Sequence, residues 1–330
     1  MRRILALFAV LMCNGCVTPL PKEEPTGPLS PEQIRALFKK ARPPQAFGLT
    51  VYTTERGPLF AGAHRVRPEQ VAVLSFAGDK SSRVPLIAVG ARGDIRAVAL
   101  LDTAARENWI SLKRAAQFAM TPLAGSAPYE ANPAHVYDEI SGYAALLPRL
   151  TLGSVQVDNS ILFIRAAHGS IGPLARWIQS PTPDLVLGVP FMRAFSFTTL
   201  DFPGRLAVFA SGMPFPGAPE DRLIEKVKLL EVRGALGVEG TIAGEPVTFI
   251  LDTGGDFQVT MSEPKDPIIR RLSIGDLVLS NVEVTPSLDA GLGEIEYPRI
   301  GRGILSKYKV TFDFRNRLVW FERPLEDDGE

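Results

Sequence analysis

Two short stretches limit what this chain can fold into more than anything else in it. Thr248-Phe249-Ile250-Leu251 is an apolar run that ends abruptly in Asp252-Thr253-Gly254-Gly255, and Ala99-Leu100-Leu101 ends in Asp102-Thr103-Ala104-Ala105 roughly 150 residues upstream. Each reads as a buried β-strand that delivers a carboxylate into a tight turn. A lone Asp-Thr-Gly is ordinary turn chemistry. Its recurrence in two similar halves points to two strand-end aspartates sharing one site.

Two further segments repeat in the same order. Leu150-Thr151-Leu152-Gly153 is matched by Leu272-Ser273-Ile274-Gly275, with Asn159 and Asn281 at the same offset beyond the glycine. Leu187-Gly188 leads to Leu200-Asp201-Phe202 and Arg205-Leu206, as Ile300-Gly301 leads to Phe312-Asp313-Phe314 and Arg317-Leu318. Three matches in one order argue for duplication of a whole β-lobe. The runs Val71 to Phe76, Val84 to Val89, Ile95 to Leu101, Ala145 to Leu152, Val155 to Ile164 and Arg205 to Phe209 read as strands. Helical periodicity is brief, around Leu112 to Phe118 and Phe191 to Phe195. Ser211 to Glu220 has the Pro and Gly density of a linker, which puts one lobe at residues 43–215 and the other at 220–326. The fold class expected is all-β, two β-barrel lobes related by internal duplication.

The 330 residues suffice for two domains, and a hydrophobic content of 45% is that of a folded protein. Thirty-six basic and 36 acidic residues cancel without a dense Lys/Arg block, so nothing points to nucleic acid. At the N-terminus, Arg2-Arg3, the apolar run Ile4 to Met12 and then Cys13-Asn14-Gly15-Cys16 have the order of a secretory signal over residues 1–16. Gly15-Cys16 resembles the end of a bacterial lipobox, which implies lipidation of Cys16. Val17 after it implies the outer membrane in Gram-negative bacteria. The alternative is cleavage nearby and a soluble periplasmic or secreted protein. Both cysteines of the chain lie in this segment, so the folded part is expected to hold no disulfide. Residues 17–29 read as an extended tether, and Ser30-Pro31-Glu32-Gln33 opens a short helix over 30–42 that Pro43-Pro44 stops.

With these segments in hand, the chain resembles the aspartic protease superfamily, and within it the retropepsin-like branch. Arg299-Ile300-Gly301-Arg302-Gly303-Ile304-Leu305 is similar to the retroviral form of the family's second motif, and Asp184-Leu185-Val186-Leu187-Gly188-Val189-Pro190-Phe191-Met192 to the bacterial form. The resemblance implies a cleft between two lobes, each giving one Asp, and a monomer able to act alone because both lobes lie in one chain. It implies a peptide or unfolded protein as substrate, and neither metal nor cofactor. The longer connection after Asp102 than after Asp252 implies a single flap, with Ile140-Ser141-Gly142 near its tip and Tyr137 or Tyr143 facing substrate, unless this is an ordinary surface hairpin.

Two adjacent carboxylates share a proton, because both cannot ionise cheaply. The ionised one takes a proton from water, which attacks a peptide carbonyl, and the protonated one supplies the developing oxyanion. Asp102 and Asp252 are therefore the expected dyad. The resemblance implies that Thr103 and Thr253 tie the two turns together across the lobes, that Gly254 belongs to the turn, and that Gly188 and Gly301 let a neighbouring loop pass close. Ala104 departs from the family's glycine; strained torsions there are expected, with weakened activity or a binding module as the alternative to a peptidase. Ala105 and Gly255 lack a hydroxyl common at that position, which predicts a less acidic optimum. His64, His135 and His168 have no metal-ligand spacing, the glycine-rich Gly234 to Gly240 fits no phosphate loop, and Asp201 and Asp313 read as structural.

Overall fold

The computed structural model describes residues 30–54, 57–78, 82–91, 95–124, 129–131, 140–165 and 183–324. Ser30 caps the helix Pro31–Phe38 as expected: its hydroxyl accepts from Gln33 N at 3.3 Å, and the Gln33 side chain accepts from Ser30 N at 2.8 Å. Ile34, Leu37 and Phe38 turn one face of this helix onto the core, where Phe38 meets Tyr143 edge-on at 5.6 Å.

Each half of the chain closes a six-stranded ring. In the first, Leu86–Gly90 pairs antiparallel with Arg96–Leu101, which lies parallel to Leu185–Leu187, then antiparallel Trp109–Ser111 and parallel Val155–Arg165 follow. Ile140–Leu152 pairs antiparallel with Val155–Arg165 and closes on the first strand at Thr151 and Gly90. The second half runs Ala235–Ile242, Glu245–Leu251, Arg299–Ile300, Val259–Met261, Leu277–Pro286 and Ile268–Ile274, with the same alternation of pairing sense. It closes at Thr241 and Ser273. The architecture is thus all-β and bilobal, two barrels of identical topology, as the internal repeats predicted.

The repeated polar residues mark where the backbone must enter the left-handed region. Gly153 and Gly275 have φ of +57° and +54°, and the matched Asn159 and Asn281 take 55° and 53°. Asn tolerates that conformation through its short polar side chain, and glycine through having none. Arg205 and Arg317, also matched, sit at 54° and 56° in the turns after Asp201 and Asp313. Those two aspartates do the structural work expected of them. Asp201 accepts from Gly204 N at 2.8 Å, and Asp313 from Asn316 N at 3.0 Å.

A separate six-stranded sheet takes three strands from each half. Its two central strands, Phe197–Asp201 and Lys309–Asp313, pair antiparallel with Thr199 opposite Thr311, and the two buried hydroxyls are 2.8 Å apart. This pair marks a pseudo-twofold relation between the halves. One continuous hydrophobic cluster then fills both lobes, from Phe191, Phe202 and Phe209 to Phe249, Phe312 and Phe321. Helix content near Phe191 is less than the sequence pattern predicts, a single turn at Val189–Met192.

Candidate active site at the lobe interface

The two aspartate-bearing strands are built alike. Arg96–Leu101 and Glu245–Leu251 both run from exposed residues into full burial over their last three positions. Asp102 and Asp252 follow at the buried ends, with 2% and 0% exposure. Asp102 N donates to Leu187 O at 3.1 Å and Asp252 N to Ile300 O at 2.8 Å, so each turn hangs from the strand beside it.

Thr103 and Thr253 join the lobes reciprocally. Thr103 N donates to Thr253 Oγ1 at 3.0 Å and Thr253 N to Thr103 Oγ1 at 3.1 Å, while each hydroxyl donates to a carbonyl of the other lobe, Leu251 O at 2.5 Å and Leu101 O at 2.8 Å. All four partners are buried, so a shift of one lobe against the other leaves polar groups unpaired. The Asp102 carboxylate faces the opposite turn: a Cβ on Gly254 would stand 2.8 Å from Asp102 Oδ2. Gly254 is therefore the residue that makes room for the carboxylate across the interface.

The glycines of the second motif sit against neighbouring backbone. A Cβ on Gly188 would lie 2.4 Å from Ala105 O, and one on Gly301 2.4 Å from Phe257 O. Loss of the side chain lets the neighbouring loops pass, and Gly188 N and Gly301 N donate to Asn108 Oδ1 at 2.8 Å and Gln258 O at 3.0 Å. Buried Asn108 was not legible from the sequence, since nothing in its surroundings marks an amide that reaches a glycine 80 positions away.

Ala104 corrects an expectation. It is not among the residues with positive φ, so it bears no glycine-only torsion. Its N–H donates to Asp102 Oδ1 at 2.9 Å, and its methyl is buried against Ala235 and Ile250 of the other lobe. In the second turn the corresponding bond comes one residue later, from Gly255 N to Asp252 Oδ1 at 2.7 Å.

Two arginines stand beside this pair. Arg299 Nη1 lies 3.4 Å from Asp252 Oδ2, and Arg302 donates to Gly254 O at 2.5 Å while pairing with Asp256 at 3.1 Å. Both side chains are buried. Burial lowers the Arg299 guanidinium from its ordinary value, and the charge of Asp252, its hydrogen bond and then the charge of Asp102 act in the opposite sense. Burial likewise lowers Arg302, against Asp256, Asp252 and Asp102. A guanidinium remains charged through such shifts. Arg299 also lines a pocket of ≈ 130 Å³ with Arg106, Val232, Ala235, Ile250 and Tyr297. The sequence offered one signal for these residues: both lie in the quoted motif, at positions where the first lobe has valine.

Of the flap positions, Tyr137 lies outside the described residues. Ile140 and Gly142 begin a long strand paired with Tyr129–Ala131. Gly142 is buried, and Tyr143 is 7% exposed within the main core, which removes it as a substrate-facing side chain. Among the described residues only the first lobe carries such an added hairpin. Cys16, His135 and His168 lie outside the described residues. His64 is half-buried against Phe191 at 5.9 Å, and desolvation lowers it to about 4, so it is neutral near pH 7. No three His, Cys, Asp or Glu side chains gather as ligands among the described residues, and no helix there is long and apolar enough to cross a membrane.

No protein-family model matches the chain, and no curated protein sequence matches it. Among solved structures, it is similar to basic 7S globulin from soybean, at 12% identity and a TM-score of 0.43, over 77% of this chain and 95% of that one. A likeness at that level says nothing about activity.

Proposed function

We propose that this protein is an aspartic peptidase in which Asp102 and Asp252 act together on a water molecule and a peptide carbonyl. The observation that carries the reading is the reciprocal Thr103–Thr253 lock, which holds two strand-end aspartates of duplicated barrels at one interface, with the Asp102 carboxylate against Gly254. One carboxylate, ionised, takes a proton from water; the other, protonated, gives its proton to the carbonyl oxygen as the water oxygen bonds to carbon. The scheme uses no covalent intermediate. Its substrate is a peptide or unfolded protein, and one chain supplies both aspartates, so a monomer suffices. Thr103, Thr253, Gly254, Gly188 and Gly301 support the geometry, and Ala104 adds a packed methyl rather than strain.

Cleavage of casein from about pH 3 to about pH 8 tests the reading. Activity lost in Asp102→Asn and in Asp252→Asn, with both variants folded, supports it. Cleavage that survives either change refutes it. The same proposal puts the protein in the bacterial cell envelope, held by lipid on Cys16, on the strength of the charged, apolar and Gly15-Cys16 order of its N-terminus. Incorporation of labelled fatty acid that persists in Cys16→Ser would refute that part.

A further inference from the structure

The sheet shared by the two halves has two edges, and the duplication makes each a control for the other. Gln70–Ser75 forms one edge, paired on its inner side with Leu206–Ser211, and Leu223–Lys228 forms the other, paired with Leu318–Glu322. The matched Arg205-Leu206 and Arg317-Leu318 fix the correspondence. Leu206 faces Ser75 as Leu318 faces Lys228, and two residues on, Val208 faces Val73 as Trp320 faces Lys226. The second half therefore carries exposed lysines where the first carries Val73 and Ser75.

The open backbone of the two edges is treated differently. Phe76 N donates to Arg205 O at 2.8 Å, as Leu229 N does to Arg317 O at 2.9 Å. Antiparallel pairs alternate between bonded and unbonded residues, so Leu74 and Ala72 also bond inward, while Val71, Val73 and Ser75 turn their N–H and C=O groups to the open side. Among the described residues no further strand pairs there. Lysines and bulges are the ordinary means by which an edge refuses another strand. The second edge has both: Lys226, Lys228 and a register shift between Leu223 and Glu225, with the Glu225 carboxylate accepting from Asp276 N. The first edge reads Gln-Val-Ala-Val-Leu-Ser without a charge, and Val71 and Val73 are 43% and 59% exposed.

We propose that this uncharged edge pairs with the same edge of a second copy of the chain, antiparallel about a twofold axis at Val73, so that the sheet runs continuously through a dimer. The edge is self-complementary. With Val73 opposite its own copy, Val71 falls opposite Ser75, and each outward residue both gives and accepts a backbone bond. The side chains that meet are valine with valine and valine with serine, on the face where Val208 and Ala210 already lie beside them. The flanking Glu69 falls opposite Ala77 rather than opposite its own copy. Pairing of this edge with the lysine edge of a copy would leave an open edge at each end and run on as a fibre, but the lysines and the register shift block it. Two lysine edges would set Lys226 directly against Lys226. Association therefore stops at the twofold pair. Each chain keeps both of its aspartates, so the dimer does not depend on the peptidase reading.

The test is sedimentation equilibrium of the full chain from about 1 to about 100 µM, the range suited to an interface below standard size. The wild type should pass from monomer to dimer and no further. Val73→Lys, which copies the residue at the same place in the other half, should raise the dissociation constant by about tenfold or more, and Lys226→Glu at the guarded edge should leave it unchanged. Association through the N-terminal segment would be equal in all three, and equal constants overturn the proposal, as does a monomer throughout. Register is read by air oxidation in a Cys13→Ser/Cys16→Ser background. Opposed residues stand about 5.5 Å apart at Cα, within disulfide reach, so Val73→Cys should give a covalent dimer. Ser75→Cys, about 13 Å along the strand from its own copy, should give one only when mixed with Val71→Cys. A covalent dimer from Ser75→Cys alone as readily as from Val73→Cys, or from neither, overturns the proposal.

Discussion

Replacing Thr253 by valine keeps the size and branching of the side chain and removes one oxygen. Two interlobe hydrogen bonds go with it, the donation to Leu101 O at 2.8 Å and the acceptance from Thr103 N at 3.0 Å. Both backbone groups are buried where water cannot replace the lost partner. A net value of about 1 kcal/mol per bond, raised by the cost of stranding buried polar groups, gives a loss of about 2 to 4 kcal/mol. For a protein whose whole stability is on the order of 5 to 15 kcal/mol, that is a large fraction. Thr253→Ser keeps the oxygen and should cost about 1 kcal/mol, the value of a buried methyl. Thr103→Val should match Thr253→Val. Because four of the bonds run from side chain to backbone, and the hydroxyls meet each other only at 3.3 Å, the double variant should come within about 1 kcal/mol of additivity. Urea unfolding, followed by the fluorescence of buried Trp109 and by circular dichroism, measures all four. A Thr253→Val cost within about 0.5 kcal/mol of zero, or no larger than that of Thr253→Ser, would refute the account of how the lobes are joined.

Ala104→Gly should lower stability by about 1 to 2 kcal/mol, since it removes a buried methyl and adds backbone freedom to the unfolded chain; a gain in thermal stability would show that the alanine torsions are strained after all. Thr199→Val should cost more than the double change Thr199→Val/Thr311→Val, because the single variant strands the Thr311 hydroxyl at 2.8 Å from its lost partner. Equal or larger loss in the double variant, measured by denaturant unfolding, would contradict this. His64 is lowered from 6.5 to about 4 by burial, so between those values the unfolded chain binds a proton that the folded chain does not. Its contribution is complete above pH 6.5 and is lost as pH falls toward 4, by about 3 kcal/mol in all. His64→Leu should flatten stability over that window, and unchanged slopes would refute the assignment.

Much of the fold was written in local signals. The Gly153 and Gly275 turns with their asparagines, and the turns after Asp201 and Asp313, depend on left-handed backbone that few residues adopt, and the strand-end aspartates follow short runs of buried residues, so duplication left them recognisable in both halves. The capping box at Ser30 was legible for the same reason: its partners are three residues apart. Tyr143 and Ala104 were read less well. Whether a strand residue faces core or cleft depends on what packs over it, and Tyr143 is claimed by a helix more than 100 residues away through Phe38. The methyl of Ala104 packs with Ala235 and Ile250 of the opposite lobe, a contact that no local pattern announces.

The charge at the site shows the same division. From the sequence alone came the two lobes, the paired aspartates and the threonines and glycines that serve them, because each is a short pattern repeated in order. That Arg299 stands at Asp252 was decided by tertiary structure. Its strand is two residues long, too short for alternation to give a facing, and only the parallel pairing with Ile250 turns its guanidinium toward the carboxylate. A duplicated sequence therefore predicted a symmetric pair, and the packing set a buried arginine beside Asp252 at the position where the first lobe has Val186.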